Sequence, residues 1–404
     1  MPAAHLIEAT RATERDAKQA MRVLFFSSIF PRSWNVTLGI YCQHVCRALV
    51  DLGHEAHVVS PKGWMEPRGR DPRPAHGLDG IPTDYPVYVY PPRVLQSRYD
   101  RFMALSSRAA MKRVFDQFRP EAVLSYWAHP DGAVAARFAR AAGIPSGVIV
   151  GGSDVLVLAR DPGRRQRAVI DALHANSAVI TVGRDLARAV RALGVPSHKV
   201  HVVYQGVDKD LFAPGSAIEA RKRLGIAPRG RMLVAVGSLL PVKGIDVLLD
   251  AVAALAKKRD VSLYLVGDGK SRPALEGQAE RLGLKDSVVH FAGKVDQRAL
   301  PDWYRAADLT VLASRSEGVP NVLRESLACG TPFVATQVGG VAEISEGTDC
   351  LLVPAENVPA LTAAIERSLA ALDQRRDDDA GRVTAPGLMT WEESTQQIVD
   401  LLGQ

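Results

Sequence analysis

The stretch SEGVPNVLRESLACGTPFVAT, Ser316–Thr336, places two carboxylates, Glu317 and Glu325, eight positions apart with Gly318, Pro320 and Asn321 between them. Leu309–Ala313 reads as a buried strand, and Ser314–Pro320 as the loop leaving its carboxyl end. Pro320 suits a first helical turn, where a missing N–H does no harm, so a helix is expected from near Asn321. The free backbone N–H groups of that turn make an anion site. Glu325 then lies about one turn into the helix, and Glu317 stays in the loop before it. The resulting order is carboxylate, N–H cradle, carboxylate. A nucleotide sugar offers the complementary order: ribose diol, diphosphate, hexose hydroxyls. Acids also favour helix starts for ordinary dipole reasons. That accounts for Glu325 taken alone, but not for the whole loop in its place after a strand.

A second anion grip lies in PVKGID, Pro241–Asp246, which follows the apolar run MLVAVGS and opens the next helix. Lys243 there can point its ammonium at the same end of the sheet. An exposed lysine at a helix start is common, so Lys243 alone reads equally well as a surface charge. Neither a Walker P-loop nor a Gly-x-Gly-x-x-Gly fingerprint occurs, which tells against a nucleotide hydrolase or a dehydrogenase.

The elements that must position these groups repeat one rhythm. Met21–Ser28, His57–Ser60, the run AVLSYW, Gly147–Gly152, Ala178–Val182 and KVHVVY are short apolar runs fit for strands, with helices at Ile40–Leu52 and Val134–Ala142 and another ending at Leu193. The second half repeats it: strands at Met232–Ser238, Ser262–Gly269, VVHFAG, DLTVLAS and PFVAT, with helices at Ile245–Lys258 and Ala274–Leu282. Strands alternating with helices imply parallel sheets covered on both faces. The fold class is therefore α/β: two Rossmann-like, doubly wound domains, with ligands beyond the carboxyl ends of the strands. The expected organisation is a disordered leader over 1–20, one Rossmann-like domain over 21–208, a second over 209–386 and a C-terminal helix over 387–404.

A chain of 404 residues, 47% hydrophobic and 23% charged, is too long for one ordinary core and too apolar for disorder. No apolar run approaches a membrane span, and the charged first 20 residues hold no signal-peptide core. Four scattered cysteines, Cys42, Cys46, Cys329 and Cys350, make no disulfide framework, and they read as reduced thiols of a cytoplasmic protein.

With these pieces in hand the sequence resembles the retaining GT-B glycosyltransferases of "group 1" (family four), which include many bacterial polysaccharide and lipid-linked-oligosaccharide enzymes. The likeness runs from about Arg22 to Leu402. It is carried by TLGIYCQHVCRALVDLGHEAHVV, HPDGAVAARFARAAGIP, GGSDV, GVDKDLFAP, VGSLLPVKGIDVLLDA, LVGDG and the Glu317–Glu325 loop with its following VGG. The resemblance implies a hexosyl transfer from a UDP- or GDP-sugar without cofactor or metal, with the acceptor on the domain 21–208, the nucleotide sugar on the domain 209–386 and the helix 387–404 crossing back to the first domain. Glu325 would hold the ribose hydroxyls. Glu317 and the backbone of Gly318, Val319, Asn321, Val322 and Leu323 would hold the sugar and diphosphate. Lys243 would neutralise the departing diphosphate, Lys294 and Val295 would pass the base edge, Gly39 would approach the phosphates, and Asp154 would face the acceptor. Where many relatives carry an arginine beside that lysine, this chain has Ser238. His129 sits in the segment matching a cleft histidine of relatives but two places beyond Trp127, out of register, and a surface histidine is the plainer reading of it. A scaffold of this kind that binds nucleotide sugars without turning them over is the alternative.

Charge is divided unevenly. Residues 21–208 carry 24 Lys and Arg against 15 Asp and Glu, whereas residues 209–404 carry 23 against 26. The excess lies in Pro61–Pro120 and Arg160–Val200. A basic acceptor domain suggests attachment to the anionic inner leaflet and a lipid-linked or saccharide acceptor. The basic stretches lack the aromatic interleaving of a nucleic-acid surface.

Overall fold

Strand formation follows the apolar runs. The computed structural model describes residues 20–32, 38–66, 80–160, 162–227, 230–374 and 387–404, so nearly all of the expected leader and the segment 375–386 lie outside the described residues. The chain divides into two compact units, one of residues up to Val148 with Asp171–Ser177 and Leu402–Gln404, the other of Ile149–Ile170 and Ala178–Leu401. Among the described residues no helix is long and apolar enough to cross a membrane.

The strands of the first half are β1 (Arg22–Phe26), β2 (Glu55–Val59), β3 (Lys62–Gly63), β4 (Thr83–Asp84), β5 (Val87–Tyr88), β6 (Ala122–Tyr126), β7 (Ser146–Val150), β8 (Ala178–Thr181) and β9 (Val200–Val202). They form a seven-stranded sheet in the order β4-β2-β1-β6-β7-β8-β9 and a two-stranded piece, β3-β5. In the first unit β1 runs parallel to β2 and β6, with Phe25 opposite Val58 and Leu124. Its core joins Leu24, Phe26 and Val123 to Met103, Met111 and Val114 of the helix Tyr99–Phe118. That 20-residue helix lies in the segment that sequence patterning had marked only for its charge.

Two polar features of this unit correct or qualify the sequence reading. His129, read as a surface histidine, is buried, with 6% of its surface exposed and Nε2 3.5 Å from Asp100 Oδ1. The reason is local: Ala128 and Asp131 on either side are also buried at the carboxyl end of β6. Burial pushes the Asp131 carboxyl up to about 6, opposed by the Ser28 N–H and O–H groups that donate to it. Cys42 and Cys46 share the buried face of the helix Ile40–Asp51 as free thiols, and burial raises both.

The second unit holds a six-stranded parallel sheet, β12-β11-β10-β13-β14-β15. Its strands are β10 (Arg231–Val236), β11 (Val261–Val266), β12 (Val289–Gly293), β13 (Leu309–Leu312), β14 (Phe333–Thr336) and β15 (Leu351–Val353). One face carries Leu233, Leu263, Leu265 and Val311 against Leu248, Val252 and Ile365 of the helices Ile245–Ala256 and Val358–Gln374. The other carries Met232, Val234 and Val266 against Trp303 and Tyr304. Burial on both faces explains why these strands read as unbroken apolar runs. The amino-terminal edge is closed by charge. Asp308 accepts from Arg221, Arg231 and the Met232 N–H, each at 2.7 Å, and Asp373 accepts from Arg231 and Arg259 at 2.7 Å.

The C-terminal helix Trp391–Leu402 is tied in through its start: Val207 N–H donates to Met389 O and Ser394 Oγ to Tyr204 O. A Cβ at Gly206 would overlap the backbone of Trp391. Gly206→Ala is therefore expected to cost about 1–3 kcal/mol through forced backbone displacement, lowering the thermal midpoint. Gly163→Ala, where a Cβ meets nothing, should leave the midpoint unchanged or raise it. Equal midpoints for both variants would remove the close-approach argument.

Candidate functional site

Because β12, β11, β10 and β13 are neighbours and parallel, the loops after β10, β12 and β13 leave one edge of the sheet. Ser238 is exposed just beyond β10, Lys294 is exposed and Val295 half-buried just beyond β12, and Ser314–Pro320 follows β13. The sheet thus gathers on one edge residues that the sequence spreads over some 90 positions and that the resemblance assigns to the donor.

The loop after β13 is clamped from two sides. Lys243 ends a short 3-10 turn, Pro241–Lys243, and Gly244 follows in the left-handed region at φ 60° before the helix Ile245–Ala256. A Cβ at Gly244 would overlap the Ala313 carbonyl oxygen. On the other side Gly339, at φ 53°, lies so close that a Cβ would overlap the Glu317 carbonyl oxygen, and Gly340 N–H donates to Gly318 O at 2.7 Å. Only glycine meets both the left-handed backbone and the close approach at these two positions.

Between these clamps Glu317 is fixed at one oxygen. Lys243 Nζ donates to Oε1 at 2.7 Å and Ser314 Oγ to the same oxygen at 2.5 Å. The Glu317 side chain is 9% exposed. No hydrogen bond among the described residues reaches Oε2, which leaves that oxygen as an acceptor. The helix Asn321–Ala328 begins where expected, with Pro320 as its N-cap in extended backbone and no side chain capping the first turn. Leu323 contributes differently from expectation: its side chain is wholly buried with Leu312, Leu327 and Phe333, and its N–H donates to Pro320 O. The forward donors are therefore the N–H groups of Asn321 and Val322. Asn321 Nδ2 donates to Gln205 Oε1 at 3.0 Å.

Glu325 lies one turn on and is half-buried. Burial pushes its carboxyl up to about 7, opposed by the Tyr304 O–H, which donates to Oε2 at 2.8 Å, and by the charge of Arg324. Arg324 is itself 3% exposed; burial brings it down to about 10.

The remaining sequence-marked residues fall as follows. Asp154 is fully buried, and its Oδ1 accepts from the Gly152 and Val155 N–H groups, which fixes the GGSD turn. That turn lies on Gly318, since a Cβ at Gly152 would stand 3.8 Å from the Gly318 Cα. Val319 Cγ2 packs against Gly183 and Gly340. A pocket of about 530 Å³ opens here, lined by Leu156, Leu186, Arg315, Glu317, Gly318 and Gly340 among others. Gly39 and His129 belong to the first unit, where Gly39 at φ 62° lies against the Ile29 carbonyl. Among the described residues no group of three or more His, Cys, Asp or Glu could hold a metal.

Sequence reasoning missed four contributors: Ser314, Tyr304, Arg324 and Glu343. Glu343 accepts from the Arg184 N–H at 2.8 Å, the Asp185 N–H at 2.9 Å and the Tyr204 O–H at 2.7 Å. It thereby caps the helix Arg184–Ala192, which has no capping side chain of its own. Partners 139 to 159 positions apart leave no local pattern.

Comparison with known proteins bears on the family and the fold. The family model described as "Glycosyltransferase Family 4" matches residues 38–211, and that described as "Glycosyl transferases group 1" matches residues 230–371. A D-inositol 3-phosphate glycosyltransferase of Catenulispora acidiphila is 34% identical over 58% of this chain and 56% of its own length, so the chain spans little more than half of that relative. The glycosyltransferase TuaC of Bacillus subtilis, named for teichuronic acid biosynthesis, is 29% identical over 86% of this chain and 89% of its own. Among solved structures, sucrose-phosphate synthase from Thermosynechococcus elongatus superposes with a TM-score of 0.76 at 23% identity, covering 96% of this chain and 99% of the other. Anabaena HepE, solved with UDP, superposes with a TM-score of 0.73 at 21% identity, over 95% and 100%. These likenesses establish the GT-B fold, two parallel-sheet α/β domains. The two family models, one over each half and together spanning most of the residues, place the chain among the group 1 (family 4) glycosyltransferases.

Proposed function

We propose that the chain transfers a hexose from a UDP- or GDP-sugar to a lipid-linked or saccharide acceptor, with retention at the anomeric carbon, in the building of a cell-surface polysaccharide. The observation that carries the reading is the Lys243–Glu317 pair at 2.7 Å beside the open first turn of the helix holding Glu325. HepE has been solved with UDP and with UDP-glucose, which supports a nucleotide-sugar donor here, and the name of TuaC supports a polymer product.

In this reading Glu325 accepts from the ribose hydroxyls, the N–H groups of Asn321 and Val322 face the diphosphate, and Glu317 Oε2 accepts from a hexose hydroxyl. The bond from the anomeric carbon to the diphosphate breaks, its electron pair leaving with the phosphate oxygen. The acceptor oxygen bonds to that carbon on the face the diphosphate leaves, and its proton passes to the departing phosphate oxygen. Charge grows on the leaving diphosphate as the bond lengthens, and a preorganised ammonium and helix start stabilise that growth more than the ground state. Lys243 supplies that charge, so the reading calls for no divalent cation. The reaction would take place on the cytoplasmic side, at the inner leaflet.

A protein that binds nucleotide sugars without transfer is the second reading, favoured by one observation: Ser238 stands exposed after β10 and brings no cation to the lysine. The two readings separate on Lys243→Ala. A transferase should lose turnover on the order of 100-fold or more, with donor affinity falling far less. Parent protein that binds donor but releases no free nucleotide diphosphate in the presence of membrane lipid extract would favour the second reading. Parent activity abolished by EDTA and restored by a divalent cation would remove the lysine-for-metal argument.

Glu325→Ala is expected to weaken donor binding strongly, because the ribose hydroxyls lose a charged acceptor. The pH dependence follows from the raised carboxyl. Ionised Glu325 is the stronger acceptor, and its population rises as pH climbs through about 7, so the parent should bind donor roughly tenfold more tightly at pH 8 than at pH 6. Glu325→Gln should flatten that profile. Calorimetry of UDP- and GDP-sugars against parent and variant checks both, and equal affinities with parallel profiles would take Glu325 out of the donor site.

A further inference from the structure

The stretch Val87–Arg113 in the first unit carries six basic residues and one acid, Asp100. Asp100 is turned inward and taken up by Arg137, at 3.0 Å, and by His129. Lys112 and Arg113 are also spoken for, by Asp116 and Asp84. The four others, Arg93, Arg98, Arg101 and Arg108, are exposed and make no ion pair among the described residues. The contrast within the chain is sharp: in the second unit Arg221, Arg223, Arg231, Arg259, Arg272 and Arg315 each hold a carboxylate.

The same surface is apolar where it should be polar. Arg101, Leu105, Arg108 and Lys112 fall at intervals of four, three and four along the helix Tyr99–Phe118, so they form one exposed stripe. Leu105 stands in its middle with 73% of its surface exposed. Val89 N–H donates to Ser106 Oγ at 3.2 Å, which sets exposed Val89 beside the Leu105 turn. Exposed Val94 and Leu95 precede the helix, between Arg93 and Arg98. Trp64, half-exposed, spans the edge of this surface with its indole N–H on Tyr90 O at 2.9 Å. Beneath lie Tyr88, Tyr90 and Tyr99 in mutual ring contact at 4.6 and 5.0 Å, a firm bed for the apolar side chains above.

Exposed apolar side chains rimmed by arginines that make no ion pair among the described residues, with Asp84, Asp100 and Asp116 each taken up by a basic side chain, match a surface whose outer layer is anionic and whose inside is hydrocarbon. We infer that this face of the first unit seats on an anionic phospholipid bilayer, the arginines on headgroup phosphates and Val89, Val94, Leu95 and Leu105 at the acyl boundary. The inference deepens the proposed function by assigning the surface at which a lipid-linked acceptor is met, and rests on it for its purpose. Its test does not.

Full-length protein, without donor, is pelleted with phosphatidylcholine vesicles and with vesicles that also contain phosphatidylglycerol. The parent should pellet only with the latter and come off as salt rises through the physiological range. Arg98→Gln, Arg101→Gln and Arg108→Gln together should cut partitioning on the order of 100-fold, about fivefold per arginine. Leu105→Glu should cut it as well, with thermal midpoints unchanged because every altered side chain is exposed. The triple change Arg164→Gln, Arg165→Gln and Arg167→Gln removes the same charge from another basic stretch and should cost far less. Partitioning like the parent's in the first triple variant, an equal loss in the second, or retention on polyuridylate with no vesicle binding would each overturn the assignment. Failure of nucleotide-sugar transfer with vesicle binding intact would instead sink the catalytic reading and leave the docking face standing.

Discussion

The site depends on two carbonyl oxygens, those of Ala313 and Glu317, each covered by a glycine that no other residue could replace without moving the backbone. The loop between them is thereby held by main chain as well as by side chains, Thr336 Oγ1 donating to the Ser314 carbonyl and Arg315 pairing with Asp246. That matters because a carboxylate and an ammonium at 2.7 Å are worth little in water and much when they cannot drift apart or rehydrate. The clamp fixes the main chain from which both side chains start, and the hydrogen bonds that Lys243 and Ser314 donate to one Glu317 oxygen hold the polar heads near the first turn of a helix. The charge arrangement follows from the clamp.

Around that loop, polar side chains are arranged in acceptor–donor pairs drawn from distant segments. Tyr304 holds Glu325, Gln205 holds Asn321, Asp154 holds its own turn, and Glu343 gathers two helix N–H groups and the Tyr204 hydroxyl. A buried carboxylate without donors would protonate or pull in water. Glu343 has three, and despite burial its carboxyl stays below the usual range. Glu325 has one hydroxyl and a neighbouring arginine and goes the other way, upward. Depth of burial and the number of donors together decide which carboxylate is a fixed structural anion and which can change its protonation near neutrality.

Much of this was legible in the sequence. The parallel-sheet class followed from apolar runs of five or six residues separated by helical spacing. The start of the helix at Asn321 followed from Pro320, and the lysine turn from PVKG. What stayed hidden was of two kinds. The helix Tyr99–Phe118 has a mean hydropathy masked by its basic residues, so periodicity lost to charge as the visible signal. Contacts such as Tyr304 on Glu325 or Glu343 on Tyr204 join residues 21 and 139 positions apart, and no local pattern encodes them. His129 misleads in another way: standing two places beyond Trp127, out of register with the cleft histidine of relatives, it reads as a surface residue, yet the end of β6 buries it with Ala128 and Asp131.

The charged closure of the amino-terminal edge of the second sheet has a consequence for how such a protein can change. Asp308 and Asp373 bind the first residues of β10 to the ends of three helices, at the opposite end of the strands from the loops after β10, β12 and β13. The sheet is therefore anchored at one rim and decorated at the other. Insertions, deletions and altered side chains in the decorated loops leave the anchoring rim untouched, so a lineage can drift from one donor or acceptor to another while the scaffold keeps its stability. Division of a single sheet into an anchored foundation and a permissive margin makes diversification a matter of loop editing, with no second fold required.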